Sequence, residues 1–445
     1  MKKLIAMLLA LAMAFALVAC GGGDQPSSNP GAASSGNASA STPSDDTTSE
    51  DTVKIGVLLP LSGGGAYYGE VQLNGIEFCV DYVNANGGVL DGKKIELVIQ
   101  DSAGDPETGI SAFEVLLDKG VSAVVGPYNS GVAAVTAPLA IQHGVPYVIC
   151  NATGENFMGE ANKYVYRTNV GSSDGDNMWT AAINYIGDSR GNPCDKVAIV
   201  YDEGDWGSSA VNVWRNNAES WGYEITVDEA VSESTTDMST LVSKIKAAET
   251  DLVILATFTA ATNLLVKTME DYQCPALMAG LGGGVGDKNF ISEVGVAAEN
   301  VLYTAPWVPS WGGASDEVNA LADQFKEKYG YDMTMEPSWG WLACATAIEA
   351  INIAGSADRE AIADALYNID LKSDSWVLMF SGYDGIKFDT AGSENAGSPT
   401  GMRYNQNIAL GETSGMILIQ IQDGAWTAIY PTSYTGGEDI MRTND

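Results

Sequence analysis

From Val53 onward the chain alternates short apolar runs with longer stretches whose apolar positions recur at helical spacing. VKIGVLLP (53–60) precedes a helical stretch from about Gly69 to Asn86, and KIELVIQD (94–101) precedes one from about Pro106 to Lys119. SAVVGP then opens into GVAAVTAPLAIQHG, followed by PYVICN (146–151) and YVYRT (164–168). The pattern restarts with KVAIVYD (196–202), a helix from Ser208 to Trp221, YEITVDEAV, a helix near Ser239 to Ala248, DLVILATF (251–258) and a helix from Thr262 to Tyr272. PALMAG (275–280) and NVLYTAP (300–306) complete this second series. Helices at about Ser315 to Tyr329 and Trp339 to Ala354, a Gly-rich region and the strand pair MILIQIQDGAWTAIYP close the chain. Strands that are apolar throughout and separated by helices predict an α/β fold of two similar lobes, each a parallel sheet covered by helices on both faces.

In such sheets ligands bind outside the carboxyl ends of the strands. The loops there read LSGGGAYYG (61–69), GPYNSG (126–131), CNATGEN (150–156), DEGDWGSS (202–209), ATFTAATN (256–263) and AGLGGGVG (279–286). GPYNSG stands out, because a strand needs only a turn and an N-cap to become a helix. Asn129 or Ser130 would suffice as the cap, yet Tyr128, Asn129 and Ser130 are all present.

The leader changes the cellular picture. Lys2 and Lys3 precede an apolar run of about fifteen residues, too short to span a membrane and typical of an export signal. It ends Leu17-Val18-Ala19-Cys20-Gly21, which resembles the bacterial lipoprotein signal, with residues 1–19 removed and Cys20 lipidated. The following Gly/Ser/Pro/Asn-rich tract to residue 52 buries too little apolar surface to fold and reads as a disordered tether.

The formal charge of −35, made more negative by loss of Lys2 and Lys3, argues against nucleic acid as a partner. With 445 residues, 45% hydrophobic, the remainder is large enough for two domains. Beyond Cys20 there are Cys79, Cys150, Cys194, Cys274 and Cys344, an odd number without CxxC spacing, so no zinc site or fully paired disulfide framework is indicated. A single pair, such as Cys194 with Cys274, stays open.

Catalytic motifs fail on their surroundings. Gly171-Ser172-Ser173-Asp174-Gly175 fits G-x-S-x-G, but the only histidine, His143, precedes the serine, whereas a hydrolase of that kind needs one after it. Gly87–Lys94 departs from a P-loop at Lys94, where Ser or Thr should stand, and precedes a strand, and the glycines at 282–284 lack dinucleotide spacing. No cofactor, metal or catalytic residue is expected.

The loops quoted above, in their order and spacing, resemble the substrate-binding proteins of ABC transporters, specifically the branched-chain amino acid (leucine/isoleucine/valine) receptor family. VKIGVLLPLSGGGAYYGEVQLNGIEFCVDYVNANGGVLDGKKIELVIQD is similar to the family's opening, followed by VVGPYNSG, VPYVICNATG, YRTNVGSSDG and KVAIVYDEGDWGSS. The resemblance implies a type I periplasmic-binding-protein fold, with the ligand cleft between lobes formed by 53–169 plus about 307–405 and by 170–306 plus about 406–435. It implies a ligand-binding set of Tyr68, Tyr128, Asn129, Ser130, Asn151, Thr153, Trp206, Phe258 and Gly283, with Ser130 and Thr153 receiving a carboxylate at a helix N-terminus.

One departure bears on specificity. Where the family places a glutamate for the ligand's α-ammonium, this chain has Leu281-Gly282-Gly283-Gly284, leaving Asp174, Asp202 or Glu203 as replacements, or a ligand without an ammonium. Amides, urea-like compounds and aromatic acids are then candidates, and free leucine is expected to bind less well than such a ligand. The expected function is a monomeric, lipid-anchored extracytoplasmic solute receptor that delivers a small amino acid-like, amide or carboxylate ligand to an ABC permease in the cytoplasmic membrane. A sensory receptor without transport is the alternative, and an exported hydrolase a more remote one.

The anchor is tested by Cys20→Ser, which is expected to release the protein from membranes on fractionation; identical partitioning of mutant and wild type would remove the lipid from the picture.

Overall fold

The computed structural model describes residues 52–154, 157, 162–169, 175–308, 315–383, 385–388, 417–435 and 437–444. Cys20, its leader and tether, and residues 171–174 of the G-x-S-x-G motif lie outside these. In the first lobe β1 (Thr52–Leu59), α1 (Ala66–Ala85), β2 (Lys94–Asp101), α2 (Pro106–Asp118), β3 (Ala123–Val125), α3 (Ser130–His143), β4 (Tyr147–Ile149) and β5 (Val165–Arg167) follow one another. The strands form a parallel sheet ordered β2-β1-β3-β4-β5. Its centre is apolar on both faces, as burial beneath helices requires: Ile55, Val57, Val124, Val125, Val148 and Ile149 are fully buried. Asp105 caps α2 by accepting from the Thr108 N–H at 2.8 Å, with Pro106 in the first turn, where no amide hydrogen is needed.

The second lobe runs through α4 (Gly175–Arg190), β6 (Lys196–Asp202), α5 (Asp205–Trp221), β7 (Glu224–Val231), α6 (Ser239–Ala247), β8 (Leu252–Ala256), α7 (Thr259–Asp271), β9 (Leu277–Gly280), α8 (Phe290–Val294) and β10 (Leu302–Ala305). The chain then returns to the first lobe as α9 (Asp316–Tyr329), whose Phe325 packs edge-on against Phe78 of α1, and α10 (Met335–Ala354). α11 (Arg359–Tyr367) and the short pair β11 (Leu371–Lys372) and β12 (Gly385–Ile386) follow. β13 (Ile417–Gln422) and β14 (Ala425–Tyr430) go back to the second sheet as antiparallel additions, giving the order β14-β13-β10-β9-β8-β6-β7. Cys194 and Cys274, like Cys79, Cys150 and Cys344, are free thiols. Among the described residues no helix is long and apolar enough to cross a membrane.

Within the first lobe α10 packs along α1. α10 is buried on nearly every side from Met335 to Ile351, so it is apolar all round rather than striped. It approaches α1 so closely that a Cβ on Gly75 would stand 2.0 Å from the Pro337 carbonyl oxygen, and one on Gly340 would stand 2.3 Å from that of Gln72. Two helices meeting backbone to backbone leave no room for a methyl group. That contact fixes the first turn of α10, which carries Glu336.

Gly75→Ala is therefore expected to lower stability by about 1–3 kcal/mol or more, the range for overpacking, read as a fall in the urea unfolding midpoint; an unchanged midpoint would mean the two helices slide apart at no cost.

Candidate functional site

The strand ends of both sheets open onto a cavity of about 310 Å³. The first lobe contributes Tyr128, Asn129 and Ser130 after β3, Asn151 and Thr153 after β4, Asn169 after β5, and Glu336 with Trp339 from α10. The second contributes Asp202, Asp205 and Trp206 at the junction of β6 and α5, Phe258 after β8, and Leu281 to Gly283 after β9. Every residue of the ligand-binding set expected from the sequence, except Tyr68, thus lines one cavity.

The donor-rich part of the wall is the start of α3. Its first helical bond runs from the Ala133 N–H to the Asn129 carbonyl, so the amides ahead of it have no intrahelical acceptor. Asn129 occupies the N-cap position, but its side chain makes no capping bond, contrary to the expected cap, and its Oδ1 has no hydrogen-bond partner. Ser130 Oγ instead accepts from the Gly154 N–H at 3.0 Å, tying the loop after β4 to α3 and leaving the hydroxyl hydrogen to donate elsewhere. Arg167, buried beneath this loop, donates to the carbonyls of Thr153 and Gly154 at 3.3 and 2.9 Å. The backbone there is held from behind while its other face lines the cavity.

Tyr128 is stacked on Tyr68, with ring centroids 4.8 Å apart. Tyr68 is itself fully buried, packs against Phe258 and shares a 2.8 Å hydrogen bond with Thr259 of α7, so it bridges the lobes instead of lining the cavity. Beside it Tyr67 Oη accepts from the Lys288 N–H, and the Lys288 ammonium lies over the rings of Tyr67 and Tyr331. On the second lobe Trp206 lies tilted against Phe258 with centroids 4.9 Å apart. The space left by Gly283 is already occupied: a Cβ there would stand 2.9 Å from the Trp206 ring and 2.4 Å from the Thr257 carbonyl. That room is filled by the indole of Trp206, and Gly283, at φ +61°, serves the packing.

Residues 281–284 hold no acid, but Glu336 brings one from the opposite lobe. It is 1% exposed, and its Oε2 accepts from Gln72 Nε2 at 2.9 Å and from Asn151 Nδ2 at 2.7 Å, whereas Oε1 has no partner. Burial outweighs these two bonds and pushes its carboxyl up to about 7. The sequence reading missed it because the helix was expected to begin at Trp339, four residues after its true start. Glu336-Pro337 just ahead of an apolar run was the available signal, since both residues suit a first helical turn. Of the acids proposed as replacements, Asp202 lines the cavity, and burial raises its carboxyl too; Glu203 is exposed, and Asp174 lies outside the described residues.

The family described as periplasmic binding protein matches residues 52–399. The Leu/Ile/Val-binding protein BraC3 of Rhizobium johnstonii is 29% identical over 319 residues, covering 71% of this chain and 83% of that protein. Among solved structures, the branched-chain amino acid transporter substrate binding protein LivJ from Streptococcus pneumoniae, in complex with isoleucine, superposes with a TM-score of 0.70 at 22% identity, covering 85% of this chain and 98% of the other. An ABC transporter solute binding protein from R. palustris, in complex with benzoate, superposes with a TM-score of 0.68 at 17% identity, covering 85% and 95%.

The position of Glu336 predicts how stability depends on pH. A carboxyl raised in the folded state holds its proton where the unfolded chain has lost it, so its contribution is fully present below the ordinary carboxylate range and is lost as pH rises to about 7. Relative to Glu336→Gln, the ligand-free wild type is expected to lose up to roughly 1.4 kcal/mol per pH unit across that window and to level off above it. Parallel pH profiles of the two proteins in urea melts would show that Glu336 ionises normally.

Proposed function

Because the chain belongs to the periplasmic binding protein family, we propose that it is an extracytoplasmic solute receptor of an ABC importer, held at the membrane by lipid on Cys20. The observation that carries this reading is the cavity itself, walled by strand ends of both lobes. A ligand entering one lobe is enclosed only when the other meets it, and the closed pair is the shape a permease can distinguish from the open one. The protein acts by binding, without a catalytic step; its sole histidine is exposed at the last turn of α3 and does not line the cavity.

The bound end of the ligand is a carboxylate or carbonyl. Isoleucine and benzoate, the ligands named for two of the similar structures, share a carboxylate and little else. Here the amides at the start of α3, which lack an intrahelical acceptor, the Ser130 hydroxyl and the loop bearing Thr153 form the donor set such a group needs. Tyr128, Trp206 and Phe258 supply apolar walls for the rest of the molecule.

Ligand binding raises the melting temperature by mass action, so a thermal-shift screen with isoleucine and benzoate among the probes locates the ligand class. Calorimetry on Ser130→Ala/Thr153→Ala is expected to show weakening by about 1–3 kcal/mol for the best probe, the cost of leaving its polar end unmet, with unfolding of the free protein little changed. Unchanged affinity would place the ligand's polar end elsewhere.

A further inference from the structure

Cys79, Cys150 and Cys344 are fully buried in the first lobe, and ligand binding uses none of their thiols. Cys150 is engaged, its Sγ donating to Gln72 Oε1 at 3.1 Å. Cys79 lies on α1 and Cys344 on α10, the two helices that meet backbone to backbone.

Contacts advance together along both helices: Gln72 reaches Glu336, Gly75 meets Pro337, and Phe78 leans on Trp341 with ring centroids 5.9 Å apart. The helices therefore run side by side in one direction. Cys79 stands one turn beyond Gly75 and Cys344 one turn beyond Gly340, so each thiol shares the helix face that its glycine presses against the partner. A disulfide needs Cα atoms within about 7 Å, closer than the usual helix spacing of about 8–10 Å. Glycines that clear the contact one turn away bring the two backbones into that range.

The chemistry of the thiols agrees with the register. Burial, and after it the Cys344 thiol alongside, pushes the Cys79 thiol well above its ordinary range. Two neutral, sealed sulfurs give a folded lobe no thiolate with which to begin exchange, so a bond between them has to form before α10 settles on α1. Once made, it is out of reach of a reductant.

We propose that Cys79 and Cys344 join in a disulfide that staples α10 to α1, made as the exported chain folds, by exchange with a disulfide donor of the thiol-oxidoreductase class. The Cys79 thiolate attacks one sulfur of the donor disulfide and expels the other as a thiolate. The Cys344 thiolate then attacks the Cys79 sulfur of this mixed disulfide and expels the donor's remaining sulfur. Two protein thiols are oxidised, one donor disulfide is reduced to two thiols, and the protons given up by Cys79 and Cys344 pass to the donor sulfurs. An extracytoplasmic compartment is where such a bond forms and persists. It lies about two turns beyond Glu336 on α10, and so holds the wall of the cavity from behind.

The test begins with the full chain, exported, harvested into denaturant with iodoacetamide, digested and analysed by mass spectrometry. The peptides of Cys79 and Cys344 are expected to be joined, and Cys150, Cys194 and Cys274 to carry the alkyl group. In a second arm the purified chain is reduced, unfolded and refolded in oxidised and reduced glutathione, which supplies the exchange without the cell. The same bond is expected, and this protein should melt several degrees above the same chain refolded in dithiothreitol, because the cross-link restricts the unfolded state. Cys79 and Cys344 both alkylated after glutathione refolding, or Cys344 joined to Cys150, would overturn the pair, and equal melting temperatures would overturn the staple. A bond made on refolding but absent from the exported chain would overturn its formation during export. Neither arm depends on a ligand, so the solute-receptor reading stands or falls separately.

Discussion

A carboxylate taken out of water must be met by donors or neutralised, and Glu336 is met on only one of its two oxygens. Much of the first lobe's architecture bears on that side chain. The backbone contact of α1 with α10 puts Glu336 in a first helical turn, where the helix dipole favours negative charge. The same contact brings Gln72 of α1 to its Oε2, and the loop after β4 brings Asn151. Three elements distant in sequence thus converge on one oxygen, and the other has no hydrogen-bond partner among the described residues.

The fold was largely legible because apolar strands and punctuating loops recur with little interruption. α2 and α9 begin within a residue of the expected position, and both carry a side-chain cap, from Asp105 and Ser315. Other helices start earlier than their sequence suggests: α5 begins at Asp205, α7 at Thr259 and α10 at Met335, where Ser208, Thr262 and Trp339 were expected. None of these three has a side-chain cap, so polar or small first turns read as loop. Glu336 was lost in that margin. The packing roles of Tyr68, whose ring spans the lobes, and of Gly283, which lines the cavity while making room for Trp206, could not be read without the tertiary neighbours.

Among the described residues the polar contacts between the lobes are few and of ordinary strength. The Tyr68–Thr259 hydrogen bond, the Tyr67–Lys288 bond and the 3.8 Å approach of the Lys288 ammonium to Glu70 are worth modest amounts each, the last with one partner well exposed. Contacts of this kind hold an arrangement without locking it. Under the proposed receptor reading, a ligand that adds hydrogen bonds on both walls would shift the arrangement of the lobes only as far as its affinity for one arrangement exceeds that for another.

Trp206, Trp214 and Trp339 all line the cavity, and they are three of ten tryptophans in the chain. Indole emission follows the polarity and quenching groups around the ring, and here carboxyl groups of Asp202, Asp205 and Glu336 line the same space. Filling the cavity exchanges water for solute beside these rings. The molecule therefore carries its own optical gauge of occupancy, with no dye or label required.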